Sequence, residues 1–394
     1  MQSLRQLFLN HVAQTSDAPL ALEIERAEGM YLFDKQGKTY MDLIAGISVS
    51  NLGHRHPAVV KAIKEQTDKY MHLMVYGEYV YYPQVQLSKL LCQHLPNTLN
   101  TVYLTNSGTE ATEGAMKLAK RYTGRTEVIG FQHSYHGSTQ GSLSIIGDEY
   151  FKSNYRPLIP DTKSIRYNNI EDLSQITERT ACVFAEVIQA ESGVNPAKKE
   201  WLQQLRNRCN QTGALLVFDE IQTGFGRTGS LFAFEQYDVV PDVLLCAKGM
   251  GGGLPIGAFI SDNKIMQCLQ SQPVLGHITT FGGNPVCCAA SLATLQTLLD
   301  ENLIAQVKSK EQLFKSLLKH PKIKALRSCG LIMTIELESF EMNLAVINQC
   351  IEKGLITDWF LFADNCLRIA PPLIISETEI EKACNVILEV LDAF

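Results

Sequence analysis

Long apolar runs are the first thing this chain is short of. Although 45% of its 394 residues are hydrophobic, no stretch reaches the roughly 18 uninterrupted apolar residues that a membrane span needs. The start, Met1-Gln-Ser-Leu-Arg-Gln-Leu-Phe-Leu-Asn-His-Val, has apolar residues at helical spacing and no small-residue cleavage site, so it is not read as a signal peptide. A cytoplasmic protein without membrane contact is the expectation. Positive charge is also scarce: the net charge is -6 and no basic block occurs, which argues against nucleic-acid partners. Eleven cysteines is an odd number and none forms a C-x-x-C pair, so a disulfide framework is not expected. The adjacent Cys287-Cys288 is expected inside a packed helix, because reduced thiols behave as small apolar groups. There is no G-x-x-x-x-G-K-[ST] loop for a nucleoside triphosphate. His54-Arg-His56 and His133-Ser-Tyr-His136 lack further ligands at recognisable spacing, so no metal is expected.

What is present is a long chain with 19% charged residues, enough to bury a large core. The first fifty residues read as a short helix followed by a hairpin, Gly29 to Asp34 and Lys38 to Asp42, with Gly37 supplying the turn. From about residue 57 to 285, helical periods at Ala58–Met74, Gln84–His94, Glu110–Tyr122 and Glu200–Thr212 alternate with short apolar runs near 102, 128, 182, 215, 243 and 256. That alternation predicts an α/β fold whose mostly parallel sheet lies between helices. After about Ala289 the pattern is one long helix over 289–318, a strand at Ile332–Leu337, a helix near 340–353, a strand at Leu367–Ala370 and a closing helix. A small α+β lobe built from both termini is predicted: 1–56 and 289–394 flank a large lobe, 57–288.

Three strand ends carry the chemistry. Asp242-Val-Leu-Leu-Cys-Ala-Lys248 runs into Gly249-Met-Gly-Gly-Gly253, Ala214-Leu-Leu-Val-Phe-Asp219 ends in a carboxylate, and Val102-Tyr-Leu-Thr leads through Asn106 to Ser107-Gly108-Thr109 and a helix. Ligands in open α/β sheets bind beyond the carboxyl ends of strands. A lysine amine at a strand mouth, an acid that can keep a ring nitrogen protonated and a helix start that favours an anion together meet the needs of a pyridoxal phosphate site. Each has a plainer reading: a solvated lysine, a salt-bridging acid, and a capping box formed by Ser107 with Glu110. Gly224-Phe-Gly-Arg-Thr-Gly229 matches the dinucleotide fingerprint G-x-G-x-x-G, but Glu220-Ile-Gln-Thr separates it from its strand and no strong helix follows.

Longer strings extend the pattern: Asn51-Leu-Gly-His54, Asn106-Ser-Gly-Thr-Glu-Ala111, Tyr135-His-Gly137, Glu186-Val-Ile-Gln-Ala-Glu191, Asp219-Glu-Ile-Gln-Thr-Gly224, Thr279-Thr-Phe-Gly-Gly-Asn-Pro285 and Leu367-Arg-Ile-Ala-Pro-Pro372. Over nearly its whole length the chain resembles the class III, subgroup II, aminotransferases of pyridoxal phosphate fold type I, a group that includes the acetylornithine, ornithine and 4-aminobutyrate enzymes. The resemblance implies that Lys248 is the Schiff-base lysine and proton carrier, Asp219 pairs with the ring nitrogen and Gln222 bonds the phenolic oxygen. Tyr135 and Ile221 would flank the ring, with His136 and Glu186 nearby. Ser107, Gly108 and Thr109 would hold the phosphate, joined by Thr280 from the other subunit of a homodimer with shared sites. Arg368 would take the α-carboxylate of glutamate, with Glu191 as its switchable partner; a permanent ion pair is the alternative.

The resemblance predicts an aminotransferase that moves the terminal amino group of a donor such as N-acetylornithine to 2-oxoglutarate by a ping-pong route. The family arginine expected after the aromatic-x-Gly motif is replaced by Ser138, so the anchor for a distal carboxylate is missing there. Arg55, Tyr76 and Arg156 are candidate replacements. Ile47 stands where ornithine enzymes place a tyrosine, which disfavours free ornithine. Other small-molecule donors stay open, including 4-aminobutyrate and amines linked to pyruvate. So do a mutase or decarboxylating reaction on the same fold and a catalytically silent binding protein.

Overall fold

The computed structural model describes residues 2–394. Its central sheet has seven strands: β1 (Thr101–Thr105), β2 (Glu127–Phe131), β3 (Thr162–Ile165), β4 (Thr180–Ala185), β5 (Leu215–Asp219), β6 (Val243–Cys246) and β7 (Gly257–Ser261), in the order β1-β7-β6-β5-β4-β2-β3. β7 runs antiparallel to both neighbours, and the other pairings are parallel. Strands β2, β4, β5, β6 and β7 are buried along their whole length. Helices cover both faces, so these strands read as continuous apolar runs without alternation.

β3 escapes a sequence reading for the same reason. It is an edge strand, Thr162-Lys-Ser-Ile, with an exposed centre and only Ile165 buried. The helices between these strands and before them fall where the apolar period places them, at Pro57–Thr67, Tyr82–Gln93, Gly108–Thr123 and Lys199–Thr212. The last two stop at Gly124 and Gly213, both left-handed with φ +70° and +69°, the conformation that glycine adopts without steric cost. The first ends earlier than its apolar period suggests, where the Gln66 amide turns back to the Tyr70 carbonyl.

The predicted hairpin is present as Tyr31–Asp34 paired antiparallel with Thr39–Asp42, and a further strand, Ile24–Glu28, extends it. Thr39–Asp42 also pairs in parallel with Leu355–Ile356, which joins sequence positions more than 300 apart. A second small sheet holds Ala325–Ser328, Met333–Glu336, Ala363–Ile369 and Asp358–Phe360. The single helix expected over 289–318 is two, Pro285–Asp300 and Leu303–Leu317. Asn302, at φ +51°, breaks the run between two apolar stretches whose periods almost match. Cys287 and Cys288 do lie in the first of these helices, and all eleven cysteines are free, seven of them buried.

The glycine-rich segment Gly224–Gly229 opens no helix. Gly226 and Gly229 both have φ +89°, and a Cβ on Gly226 would come within 2.9 Å of Ile304 Cγ1. The turn instead delivers Arg227 into the interior, where it is fully buried. Its guanidinium donates to the carbonyls of Leu331 and Pro371 and to Asn51 Oδ1, the last at 2.5 Å. Asn51 Nδ2 in turn donates to the Phe225 carbonyl at 2.9 Å. Burial pushes the Arg227 pKa down, against the charge of Asp42. Chain segments near 51, 227, 331 and 371 thus meet at one cation held largely by neutral acceptors. Arg227→Met is expected to strand those acceptors without donors and lower stability by about 3 kcal/mol or more. A fall in the thermal or urea midpoint checks this, and a midpoint equal to wild type would contradict it.

Candidate active site

β1, β2, β4, β5 and β6 present their carboxyl ends on one edge of the sheet, and antiparallel β7 begins there. A cavity of about 550 Å³ opens on that edge. Asp219 closes β5, and Lys248 lies two residues past Cys246, the end of β6. Both line the cavity, together with Ser107, Gly108, Thr109, Tyr135, His136, Ser138, Glu186, Ile221 and Gln222. The strand-end reading thus brought together side chains spread over more than 140 positions of sequence.

Lys248 has φ +45°, a conformation uncommon for a residue with a Cβ and typical of functional turns. Its ammonium donates to Gln222 Oε1 at 2.8 Å. Burial pushes its pKa below the ordinary lysine value and Arg368 acts in the same direction, while Glu191, Asp219 and Glu186 oppose them. Asp219 is held at both oxygens: Oδ1 accepts from the Ile221 N–H at 3.0 Å and Oδ2 lies 2.7 Å from His136 Nδ1. Burial alone would lower the His136 pKa, but the hydrogen bond and charge of Asp219 raise it on balance. His136 is therefore buried and paired. It fixes the orientation of the acid, and its own carbonyl accepts from Thr112 Oγ1 at 3.0 Å.

The turn after β1 is built by close approach. A Cβ on Gly108 would come within 2.8 Å of Ile221 Cδ1, and one on Gly137 would strike Thr109. Ser107 caps the helix Gly108–Thr123 by accepting from the Glu110 N–H. The reciprocal half of the expected capping box is absent, because the Glu110 carboxylate turns to the Asn106 backbone N–H at 2.7 Å and to the Asn106 amide. The Gly108 and Thr109 N–H groups belong to the first helical turn, where no carbonyl of the helix can reach them. They point to an anion site.

Glu186 is buried beneath Tyr135. Its Oε1 accepts from the Tyr135 N–H at 3.0 Å and its Oε2 from the Ala190 N–H at 3.2 Å. Burial pushes its pKa up to about 8, with His136 pulling the other way. Ser138 stands 3.2 Å from the Tyr135 hydroxyl. The remaining wall is largely apolar: Val49, Leu254, Pro255 and Ile256. Sequence reading did not single these four out, although three follow the glycine turn that it did mark.

Val49 follows Ala45–Ser48, four consecutive residues with φ between +48° and +64°. Asp42 holds this left-handed turn by accepting from the Ile44 and Ala45 N–H groups at 2.8 and 2.9 Å, while its other oxygen meets His54 Nε2 at 2.8 Å. Ile47 lies within this turn and does not line the cavity; Val49 does. Thr280 also lies outside the cavity, exposed on its own chain. None of the proposed replacements for the missing arginine lines it: Arg55 is exposed, Tyr76 borders another pocket and Arg156 pairs with Glu149.

Arg368 and Glu191 are not among the residues that line this cavity, but they pair with each other and both charges act on the Lys248 amine. The carboxylate takes Nη1 at 2.9 Å and Nη2 at 2.8 Å, a bidentate pair with both side chains buried. Burial would raise the Glu191 pKa, but the charge and hydrogen bonds of Arg368 bring it down to about 2. Two further groups that sequence gave no sign of complete the setting. Trp359 offers its carbonyl to Nη2 at 3.0 Å, and Asp358 Oδ1 lies 2.8 Å from Nε.

Comparison with known proteins agrees with this geometry. The profile of the family described as aminotransferase class-III matches residues 12–391. An acetylornithine aminotransferase of Clostridium acetobutylicum is 38% identical, with 93% of this chain and 95% of that one covered. A second, from Methanopyrus kandleri, is also 38% identical, with 93% of each covered. Among solved structures, a transaminase from the marine bacterium Virgibacillus superposes with a TM-score of 0.93 at 27% identity, covering 100% of this chain and 99% of the other. The ornithine aminotransferase of Toxoplasma gondii, described with pyridoxal phosphate at partial occupancy in its active site, gives 0.91 at 29% identity, with 98% and 92% covered. The chain thus belongs to the class-III aminotransferases and is, like them, a transaminase that depends on pyridoxal phosphate.

Proposed function

We propose that this enzyme takes the terminal amino group of an ω-amino donor, N-acetylornithine first among the candidates, and passes it to 2-oxoglutarate in a ping-pong cycle. The observation that carries the reading is the buried Glu191–Arg368 pair, whose charges both act on Lys248. It offers one receptor for two kinds of substrate. Closed, the pair presents no free cation to a donor whose reacting end bears no carboxylate. Open, Arg368 can grip the α-carboxylate of glutamate or 2-oxoglutarate through two parallel hydrogen bonds. The donor is suggested by the names of the relatives.

The residues present fit the cofactor. The cavity holds two buried polar atoms without partners, Gln222 Nε2 and His136 Nε2, a helix start with free N–H groups, a fixed acid and a partly desolvated amine. When bound, the cofactor supplies an electron sink and a carrier for the amino group. In this reading Lys248 holds it covalently and, once released, moves the substrate proton as a free amine, a task eased by its lowered pKa. Asp219, kept in place by His136, would favour a proton on the ring nitrogen. Gln222 would hold the phenolic oxygen, Tyr135 and Ile221 would hold the ring, and Ser107, Gly108 and Thr109 would hold the phosphate.

Thr280 enters the reading through a homodimer, in which it completes the phosphate site of the partner. Its exposure supports this, as does the exposed apolar company of Val274, Leu275, Ile278 and Phe281 around it. The division into a large lobe, 57–288, and a small lobe from both ends is part of the same proposal. So is a cytosolic setting; among the described residues, no helix is long and apolar enough to cross a membrane. A second reading of the donor rests on the cavity wall. Ser138 and the apolar side chains about it supply no cation for a distal carboxylate, which favours 4-aminobutyrate-like or simpler amines over N-acetylornithine.

The test follows the absorption of the bound cofactor during single half-reactions with glutamate, N-acetylornithine, 4-aminobutyrate, ornithine and a simple diamine. Glutamate and one ω-amino donor are each expected to discharge it; reaction with glutamate alone would refute the ω-amino assignment. Lys248→Ala is expected to abolish turnover while cofactor still binds noncovalently, and wild-type turnover in that variant would remove Lys248 from the chemistry. Arg368→Ala should depress kcat/KM for glutamate at least tenfold more than for the ω-amino donor, since a charged hydrogen-bonded contact is worth roughly 1.5–3 kcal/mol. Equal losses would mean that the pair is permanent. Glu186 has a folded pKa raised to about 8, above its unfolded value. Its contribution is therefore full below the unfolded pKa and is lost as pH rises toward 8. Glu186→Gln, which cannot ionise, is expected to gain in thermal midpoint relative to wild type between pH 5 and pH 8.5; a gap that stays constant would show that Glu186 is not held protonated.

A further inference from the structure

Arg368 carries a second carboxylate that the exchange of Glu191 leaves untouched. Asp358 lies directly across from it in the small sheet, where Asp358–Phe360 pairs with Ala363–Ile369 and the register sets Asp358 opposite Arg368. The two carboxylates divide the guanidinium. Glu191 occupies the Nη1 and Nη2 edge, and Asp358 Oδ1 stands at Nε, 2.8 Å away. Their mountings differ. Glu191 comes from outside this sheet, tethered through contacts with the Leu361 and Phe362 N–H groups. Asp358 sits on the strand paired with the one that bears Arg368 itself, so its backbone is fixed opposite the arginine by the sheet. The Phe360 ring lies under the same guanidinium, 4.3 Å from its centre.

The Asp358 contact is close but unaligned. Arg368 Nε and Asp358 Oδ1 are both buried and neither has a hydrogen-bond partner, so the N–H does not point along the line between them. With Glu191 in place charge attraction dominates a poorly aligned contact, and a small rotation of the guanidinium would straighten it into a well-aligned hydrogen bond. Asp358 and Glu191 also repel each other across the arginine. We propose that Asp358 is the fixed counter-ion and positioning residue of Arg368, holding the guanidinium oriented and compensated while Glu191 and a substrate carboxylate exchange on its other edge. Without it, the departure of Glu191 would leave a buried cation with no opposing charge in contact, an arrangement that proteins avoid. The repulsion from Asp358 loosens the closed pair, and its bond to Nε then replaces part of what Glu191 gives up. This inference rests on the reading of Glu191 and Arg368 as an exchangeable pair.

The test compares two single half-reactions of the cofactor-loaded enzyme. One uses glutamate; the other uses whichever of N-acetylornithine, 4-aminobutyrate and a simple diamine reacts fastest. Asp358→Ala is expected to shift the ratio of the two kcat/KM values against glutamate by about tenfold or more, because only the glutamate step relies on an arginine without Glu191. Asp358→Asn should restore much of that ratio, since its amide oxygen can still accept from Nε. A loss that falls equally on both half-reactions, or an unchanged ratio, overturns the proposal, because a merely structural role would not separate them. Arg368→Ala in the same assay distinguishes the levels. If it shifts the ratio and Asp358→Ala does not, only the anchor role fails; if neither shifts it, the carboxylate-receptor reading fails and the anchor with it.

Discussion

The structure depends on one buried cation that is not part of the chemistry. Arg227 draws its hydrogen-bond acceptors from segments far apart in sequence, and Asn51 passes the linkage on to the Phe225 carbonyl. Such a cation is stable only if every acceptor is in place, because in a low-dielectric interior an unpaired partner carries its full desolvation cost. The link therefore acts as a logical AND: the N-terminal segment, the Gly224–Gly229 turn and the C-terminal segment must all dock for any one of them to dock well. The same Asn51 lies against the Lys248 turn, where a Cβ on Gly249 would come within 2.5 Å of its amide nitrogen. The turn that bears Lys248 is thus packed against a residue of the N-terminal segment, far from the central-sheet strands in sequence.

The cavity itself follows from sheet direction. Parallel strands deliver their carboxyl ends to one edge, so an acid, a lysine and a helix start can converge although each belongs to a different strand. Electrostatics then separates their tasks. Burial depresses the lysine, raises Glu186 and leaves Glu191 ionised only because Arg368 opposes it. Two glutamates five positions apart in sequence end in opposite protonation tendencies, and what separates them is whether a guanidinium is within reach.

Much of this was legible before any coordinates, and the reason is physical. Asp219, Lys248 and the Ser107–Thr109 turn announce themselves because an apolar strand that ends abruptly in a charge or a small-residue turn is a local signal. The buried strands could be placed for the same reason. Illegible were features whose cause is nonlocal or whose local signal is balanced. β3 looks polar because one side of it faces solvent. The break at Asn302 hides between two helical periods almost in phase. The Ser107 cap was half foreseen, but Glu110 had an alternative donor in Asn106 that spacing cannot rank. Asp358 gave no sign at all, since its meaning arises only when the hairpin sets it opposite Arg368. Val49 was hidden by the turn before it, whose handedness no pattern of apolar residues encodes.

That left-handed turn has a consequence for what counts as the catalytic unit. Right-handed backbone is preferred by roughly 1–2 kcal/mol for each non-glycine residue, and Ala45, Ile47 and Ser48 all forgo it. Backbone bonds from the Ser48 N–H to the Ile44 carbonyl and from the Val49 N–H to the Ala45 carbonyl close the turn, the Asp42 carboxylate anchors its start, and Asp42 is placed by a strand that pairs with Leu355–Ile356. A fragment limited to residues 57–288 would retain Lys248, Asp219, the helix start and three residues of the apolar wall, yet it would lack Val49 and the turn that sets it there. The shape of the cavity is thus in part a property of chain closure, set where Thr39–Asp42 pairs with Leu355–Ile356.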